Sequence, residues 1–171
     1  ESVRQLMIAE GLWKAKKRRK AQIHQLRERR ACIGELIQID GSPHAWFENR
    51  GPKCTCLIAV DDASSRLMAM RFVPTETTFA YFELIRAYLA DYGLPQAFYS
   101  DKNSIFRVNQ PQALPGDGLT QLGRALLQLN IESICANTPQ AKGRVERSFL
   151  TLQDRLVKEL RLQNISNIED A

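Results

Sequence analysis

Histidine is scarce in this chain, with only His24 and His44, and the four cysteines, Cys32, Cys54, Cys56 and Cys135, are scattered. That leaves no readable zinc finger and too few thiols for a disulfide framework in 171 residues. No apolar run approaches the roughly 18 residues a membrane span needs, and no signal-peptide succession of charged, apolar and small residues opens the chain. An intracellular, reduced, soluble protein with no membrane partner is expected, cytoplasmic if bacterial. Methionine is missing at the start, so Glu1 is read as the beginning of an excised piece. There are no internal repeats. What is present is 44% hydrophobic residues, enough to bury one sizeable core but in a chain too short for two ordinary domains.

Charge is segregated. Glu1 to Arg30 carries ten basic and three acidic residues, whereas Ala31 to Ala171 carries fourteen basic and sixteen acidic ones, so the formal +5 is a +7 arm on a −2 body. Within the arm Lys14, Lys16, Lys17, Arg18, Arg19 and Lys20 form a tract followed by Arg27, Arg29 and Arg30. Nine cations with one acid, Glu28, exceed what solubility needs, and a polyanion such as DNA is the expected partner. Val3, Leu6 and Met7 at helical spacing predict a short helix before the tract, and residues 1–33 are read as an appendage to a body spanning 34–171.

In the body the texture changes to short apolar runs. Leu36 to Ile39, Cys54 to Val60 and Leu67 to Val73 are separated by the turn formers Gly41-Ser42-Pro43, Gly51-Pro52 and Asp61-Asp62-Ala63-Ser64, which predicts three antiparallel strands. Pro74-Thr75-Glu76 offers a helix cap, with Phe79, Phe82, Ile85, Leu89 and Tyr92 on the inward face up to Gly93. A strand at Ala97 to Ser100, a Pro- and Gly-rich loop, a helix with Leu122, Leu126 and Leu129 inward, a strand at Ile131 to Cys135 and a long helix opened by Thr138-Pro139 complete the order. Val145, Phe149, Leu152, Leu156 and Leu160 fall on one face of that last helix. A five-stranded mixed sheet flanked by helices follows, an α/β order that resembles the ribonuclease H-like fold.

Acids at the ends of apolar runs are where chemistry can leave such a sheet. Asp40 and Asp101 each follow a strand, and Glu146 on the last helix is the natural third. Three converging carboxylates repel unless a hard cation sits among them, and oxygen-only ligands suit Mg²⁺ or Mn²⁺. Acids at strand ends are also common as solvated turn residues.

The surroundings of the three acids are Gly-Glu-Leu-Ile-Gln-Ile-Asp-Gly-Ser, Tyr-Ser-Asp-Lys-Asn-Ser-Ile-Phe and Pro-Gln-Ala-Lys-Gly-Arg-Val-Glu-Arg. Together they resemble the DDE transposase and retroviral-type integrase catalytic core of bacterial insertion sequences, over about Gly34 to Leu162. Ala-Glu-Gly-Leu-Trp with the basic tract looks like the truncated end of the helix-turn-helix region that precedes such cores. The resemblance implies a metal-dependent polynucleotidyl transferase that cleaves transposon DNA ends and transfers the freed 3′ ends to target DNA. It implies two Mg²⁺ or Mn²⁺ ions held by Asp40, Asp101 and Glu146, DNA as partner, and a homodimer or higher oligomer, nucleoid-associated in a bacterium. The interval between the second and third acids is longer than in many integrase cores, and the 106–118 loop absorbs the difference. A ribonuclease H-like nuclease on RNA–DNA hybrids and a catalytically inactive DNA-binding module are the competing readings.

Lys142, Arg144 and Arg147 flank the third acid and are expected to hold DNA phosphates, although Lys142 could instead pair with Glu146 four residues on. Asp61 and Asp62 are expected in a hairpin turn. His44 belongs to a loop anchored by Trp46 and Phe47, Asn103 shapes either the site or a turn, and Cys54 and Cys56 are read as small core residues on opposite strand faces. The segregated charge carries a prediction. Removing residues 1–30 should reduce affinity for duplex DNA sharply, and the full chain's affinity should fall by about three decades or more between 50 and 200 mM salt, as measured by fluorescence anisotropy. Equal affinity of both chains would contradict it.

Overall fold

A computed structural model describes residues 2–11, 28–108, 118–136 and 143–171. Helix α1 covers Ser2–Ala9, and its Val3, Leu6, Met7 and Ile8 are exposed. The body consists of β1 (Ile37–His44), β2 (Cys54–Asp61), β3 (Leu67–Val73), α2 (Thr78–Tyr92), β4 (Ala97–Ser100), α3 (Gln121–Gln128), β5 (Glu132–Cys135) and α4 (Gly143–Leu162). Its single sheet has the order β3-β2-β1-β4-β5. The first three strands are antiparallel, and β1 with β4 and β4 with β5 are parallel. This is the five-stranded mixed sheet expected of a ribonuclease H-like fold.

Alternation along the strands builds a core on each face. Ile37, Ile39, Leu57 and Ala59 face α2 and α3, meeting Tyr81, Leu84, Tyr88, Leu122 and Leu126. Cys54, Cys56, Ile58, Val60 and Phe72 face α4, meeting Val145, Phe149, Val157 and Leu160. Cys54 and Cys56 therefore share a face, against expectation, because residues two apart on a strand point the same way. Burial pushes both thiols up, Cys56 to about 12. Trp46 and Phe47 are fully buried in the second core, and Trp46 Nε1 donates to the Ser42 carbonyl at 3.1 Å, so the loop is anchored as expected.

Other boundaries differ from the sequence reading. Strand β1 runs on through Gly41, Ser42 and Pro43 to His44, which pairs with Cys54. Pro43 is tolerated because β4 pairs with β1 only at Ile37 and Gln38, so that edge of β1 needs no further donors. Helix α2 is capped two residues later than expected, by Thr77, whose hydroxyl accepts from Ala80 N. Its buried stripe is Ala80, Tyr81, Leu84, Ile85 and Tyr88, so Phe79 and Tyr92 are exposed while Phe82 and Leu89 pack at the core's edge. Leu129 caps α3 and is likewise exposed. The Thr138-Pro139 opening expected for α4 lies outside the described residues.

Helix α4 is fastened along its length. Val145 N donates to Gln38 Oε1 at 3.4 Å, and Gln153 Nε2 donates to Ser42 Oγ at 3.0 Å. Eight helical residues rise about 12 Å and four strand residues about 13 Å, so α4 runs alongside β1 in the same direction. At its C-terminal end Arg50 donates to the carbonyls of Leu160 and Ile165, and Arg161 forms a bidentate pair with Glu48 at 2.9 and 3.0 Å. Arg50 is three-quarters buried and ties the end of α4 to the turn after it, joining the Ile165 N–H that also reaches the Leu160 carbonyl. Replacing Arg50→Ala should lower stability by about 2 kcal/mol, more than the exposed pair Arg161→Ala, in urea unfolding. An Arg50→Ala midpoint matching wild type would refute this cap.

Candidate active site

Strand pairing directs two of the proposed acids to the same end of the sheet. Ile37 lies beside Phe98 and Gln38 beside Tyr99, so the chain continues from this parallel pair to Asp40 on one strand and to Asp101 just past the other, and both charges act on the Tyr81 phenol. Both residues are half-buried. Asp40 lies in β1 two residues past its last pair with β4. Asp101 is the first residue after β4, and one carboxylate oxygen accepts from Asn103 N at 2.9 Å. The Asn103 side chain accepts from Ile105 N at 3.2 Å, and its carbonyl accepts from Phe106 N and Arg107 N. Asn103 thus folds the turn that holds Asp101, one of its two expected roles.

Glu146 lies in the first turn of α4 and is exposed. Its neighbour Val145 is fully buried. By helical rotation Glu146 points about 100° away from the side that packs on β1. Among the described residues no three His, Cys, Asp or Glu side chains stand close enough to hold a metal ion. The Asp40 and Asp101 pair, hard oxygen donors open to solvent, suits a divalent cation such as Mg²⁺; Glu146 does not complete the set in this arrangement.

A further acid that the sequence reading took for a helix-cap residue lies at the same end. Glu76 precedes the Thr77 cap, and its carboxylate lies against the Gly41 backbone so closely that a Cβ at position 41 would collide with Glu76 Oε1. Tyr81, one turn into α2, donates its phenol to Glu76 Oε1 at 2.9 Å. Burial first, then the charge of Glu76 and its hydrogen bond, then Asp40 and Asp101, push the Tyr81 pKa far up, so the phenol stays a donor. The available signal was Gly41 directly after Asp40, where a strand glycine marks close approach.

The flanking cations divide. Arg147 is exposed beside Glu146. Arg144, expected on DNA phosphate, is instead committed inside the fold: its Nη1 lies 2.9 Å from Asp62 Oδ1, with 18% of its side chain exposed. The reason is electrostatic. Asp62 is fully buried, and stripping such a carboxylate of its cation leaves an uncompensated charge costing about 3–5 kcal/mol. Asp61 behaves as the turn residue expected, accepting from Ser64 N and Ser64 Oγ at 2.7 and 2.6 Å. Lys142 and the tract Lys14, Lys16, Lys17, Arg18, Arg19 and Lys20 lie outside the described residues, as do positions 109–117 of the expected loop.

With fold and acids in place, the relatives are informative. Over 170 residues, 99% of this chain, it is 55% identical to y4bF of Sinorhizobium fredii, named as a transposase, and covers 37% of that protein. Over 152 residues, 87% of this chain, it is 41% identical to the transposase for insertion sequence IS1202 of Streptococcus pneumoniae, covering 32% of it. In sequence this chain is similar to transposases, and its fold is that of integrase catalytic cores. It spans about a third of the length of these curated relatives, and no family model matches it.

The core also superimposes on a chain of the simian T-cell lymphotropic virus intasome, solved with the PP2A regulatory subunit B56 gamma. The TM-score is 0.67 at 16% identity, over 88% of this chain and 51% of that one. For the HTLV-2 integrase catalytic core domain, solved with magnesium in a dimeric form, the values are 0.61 and 14%, over 81% and 80%. The Glu76 and Tyr81 bond generates a prediction. Replacing Tyr81→Phe should lower stability of the core by about 1 kcal/mol while leaving the sheet intact, read by urea unfolding and circular dichroism. No change in the midpoint would show that the bond contributes nothing.

Proposed function

We propose that this core cleaves transposon DNA ends and joins the freed 3′ ends to target DNA. The observation supporting the reading is the parallel pairing of β1 with β4, whose register leads toward Asp40 on one strand and Asp101 just past the other. Asp40 and Asp101 hold Mg²⁺ or Mn²⁺, two ions per site, with Glu146 as third ligand once its turn of α4 is brought to the pair. The HTLV-2 neighbour, solved with magnesium, supports that choice of ion. The ions when bound neutralise the carboxylates and stabilise both the attacking and the leaving oxygen of an in-line phosphoryl displacement.

The rest falls to the chain's own residues. Arg147, exposed beside Glu146, and Lys142 hold phosphates next to the acids, and the tract from Lys14 to Lys20 binds duplex backbone in a sequence-independent, salt-sensitive way. Arg144 is left out of this set because its charge belongs to Asp62. Asn103 fixes the Asp101 carboxylate from one side, leaving its second oxygen for the ion. Joining two element ends requires more than one subunit, so the working form is a homodimer or larger, acting in the bacterial cytoplasm. Among the described residues no helix is long and apolar enough to cross a membrane.

The test uses Asp101→Asn. Wild-type protein should cut or join a terminal-repeat DNA duplex with Mn²⁺, and both EDTA and Asp101→Asn should abolish this while DNA affinity stays unchanged. Cleavage of an RNA–DNA hybrid in preference to the duplex would shift the reading to a hybrid nuclease. Salt-sensitive binding with no cleavage under any metal would leave a DNA-binding module.

A further inference from the structure

Asp62 is a fully buried carboxylate outside the metal-binding pair, and three elements converge on it. Its Oδ1 accepts from Gln38 Nε2 at 2.8 Å and takes Arg144 Nη1 at 2.9 Å, while its Oδ2 accepts from Arg30 N at 3.0 Å. Its own N–H donates to the Leu36 carbonyl at 2.9 Å, pinning the turn to the start of β1. Gln38 stands two residues before Asp40 and on the same strand face. Its Oε1 receives Val145 N, the residue immediately before Glu146. One carboxylate therefore links the strand bearing the first acid to the helical turn bearing the third.

Chemistry restricts what can stand here. These three partners are donors: a guanidinium, a carboxamide N–H and a backbone N–H. An asparagine has one acceptor oxygen and would turn its own NH₂ toward one of them, so only a carboxylate satisfies the set. Apolar packing of Val145 and Phe149 presses α4 onto the sheet but is not directional, whereas charge-assisted hydrogen bonds fix rotation and advance of the helix.

We propose that Asp62, acting through Arg144 and Gln38, is the positioning residue that fixes the turn of α4 bearing Glu146 relative to the strand bearing Asp40. The same carboxylate receives the exit of the basic arm at Arg30. The inference rests on Glu146 being the third acid, and its test separates the two claims.

Wild type, Asp62→Asn, Arg144→Gln and Arg144→Lys are compared by amide hydrogen exchange, thermal unfolding and Mn²⁺-dependent cleavage of terminal-repeat duplex. Asp62→Asn should speed exchange over residues 143–149 while leaving β2 and β3 protected. It should also lower kcat at least about tenfold, with KM for DNA within about twofold, because displaced reacting groups slow chemistry more than binding. Arg144→Lys should retain most of the rate. Should Asp62→Asn fail to fold, Arg144→Gln, which keeps the carboxylate and Gln38, carries the test with the same local rise in exchange. Wild-type exchange over 143–149 together with wild-type kcat in the folded variant overturns the proposal. Glu146→Gln cutting as well as wild type would instead remove Glu146 from the chemistry, and the exchange data would still decide whether Asp62 holds this turn.

Discussion

Parallel pairing of β1 with β4 is the constraint from which the acidic end of the sheet follows, since Asp40 and Asp101 are sixty-odd residues apart in sequence and the backbone register leads both strands toward that end. A one-residue slip would carry one of the side chains to the opposite face. The pairing stops at Gln38 and Tyr99, and β1 continues alone on that edge to His44.

Charge then has to be managed around that opening. Asp40, Asp101 and Glu76 act together on Tyr81, whose phenol stays protonated and gives Glu76 a donor. On the other face Asp62 is neutralised by Arg144 and bonded to Gln38. Asp62 and Glu76 thus have partners inside the fold. A body with net −2 can support such a site because several of its acids already have donors.

Much of this was readable in the residues. The three antiparallel strands came from apolar runs broken by turn formers, and the last helix from Val145, Phe149 and Leu160 at helical spacing. Asp40, Asp101 and Glu146 stood out because each sits at an element's end in a motif resembling integrase cores. The extension of β1 through Pro43 was hidden, since a proline in a strand is permitted only where a neighbour is missing, and sequence does not show neighbours. The late cap at Thr77 was hidden by Thr75, an equally good capping residue.

Local sequence determined the element types, the segregated arm and body, and the residue types able to bind metal, because propensity, periodicity and charge act over a few neighbouring positions. Tertiary structure decided which acids share an end of the sheet, that Glu76 lies against Gly41 there, and that Arg144 belongs to Asp62, while among the described residues no three acids gather closely enough to hold a metal. Those outcomes depend on burial and on partners distant in sequence. A carboxylate's role is set by whether water, a guanidinium or another carboxylate lies beside it, and only the folded chain establishes that.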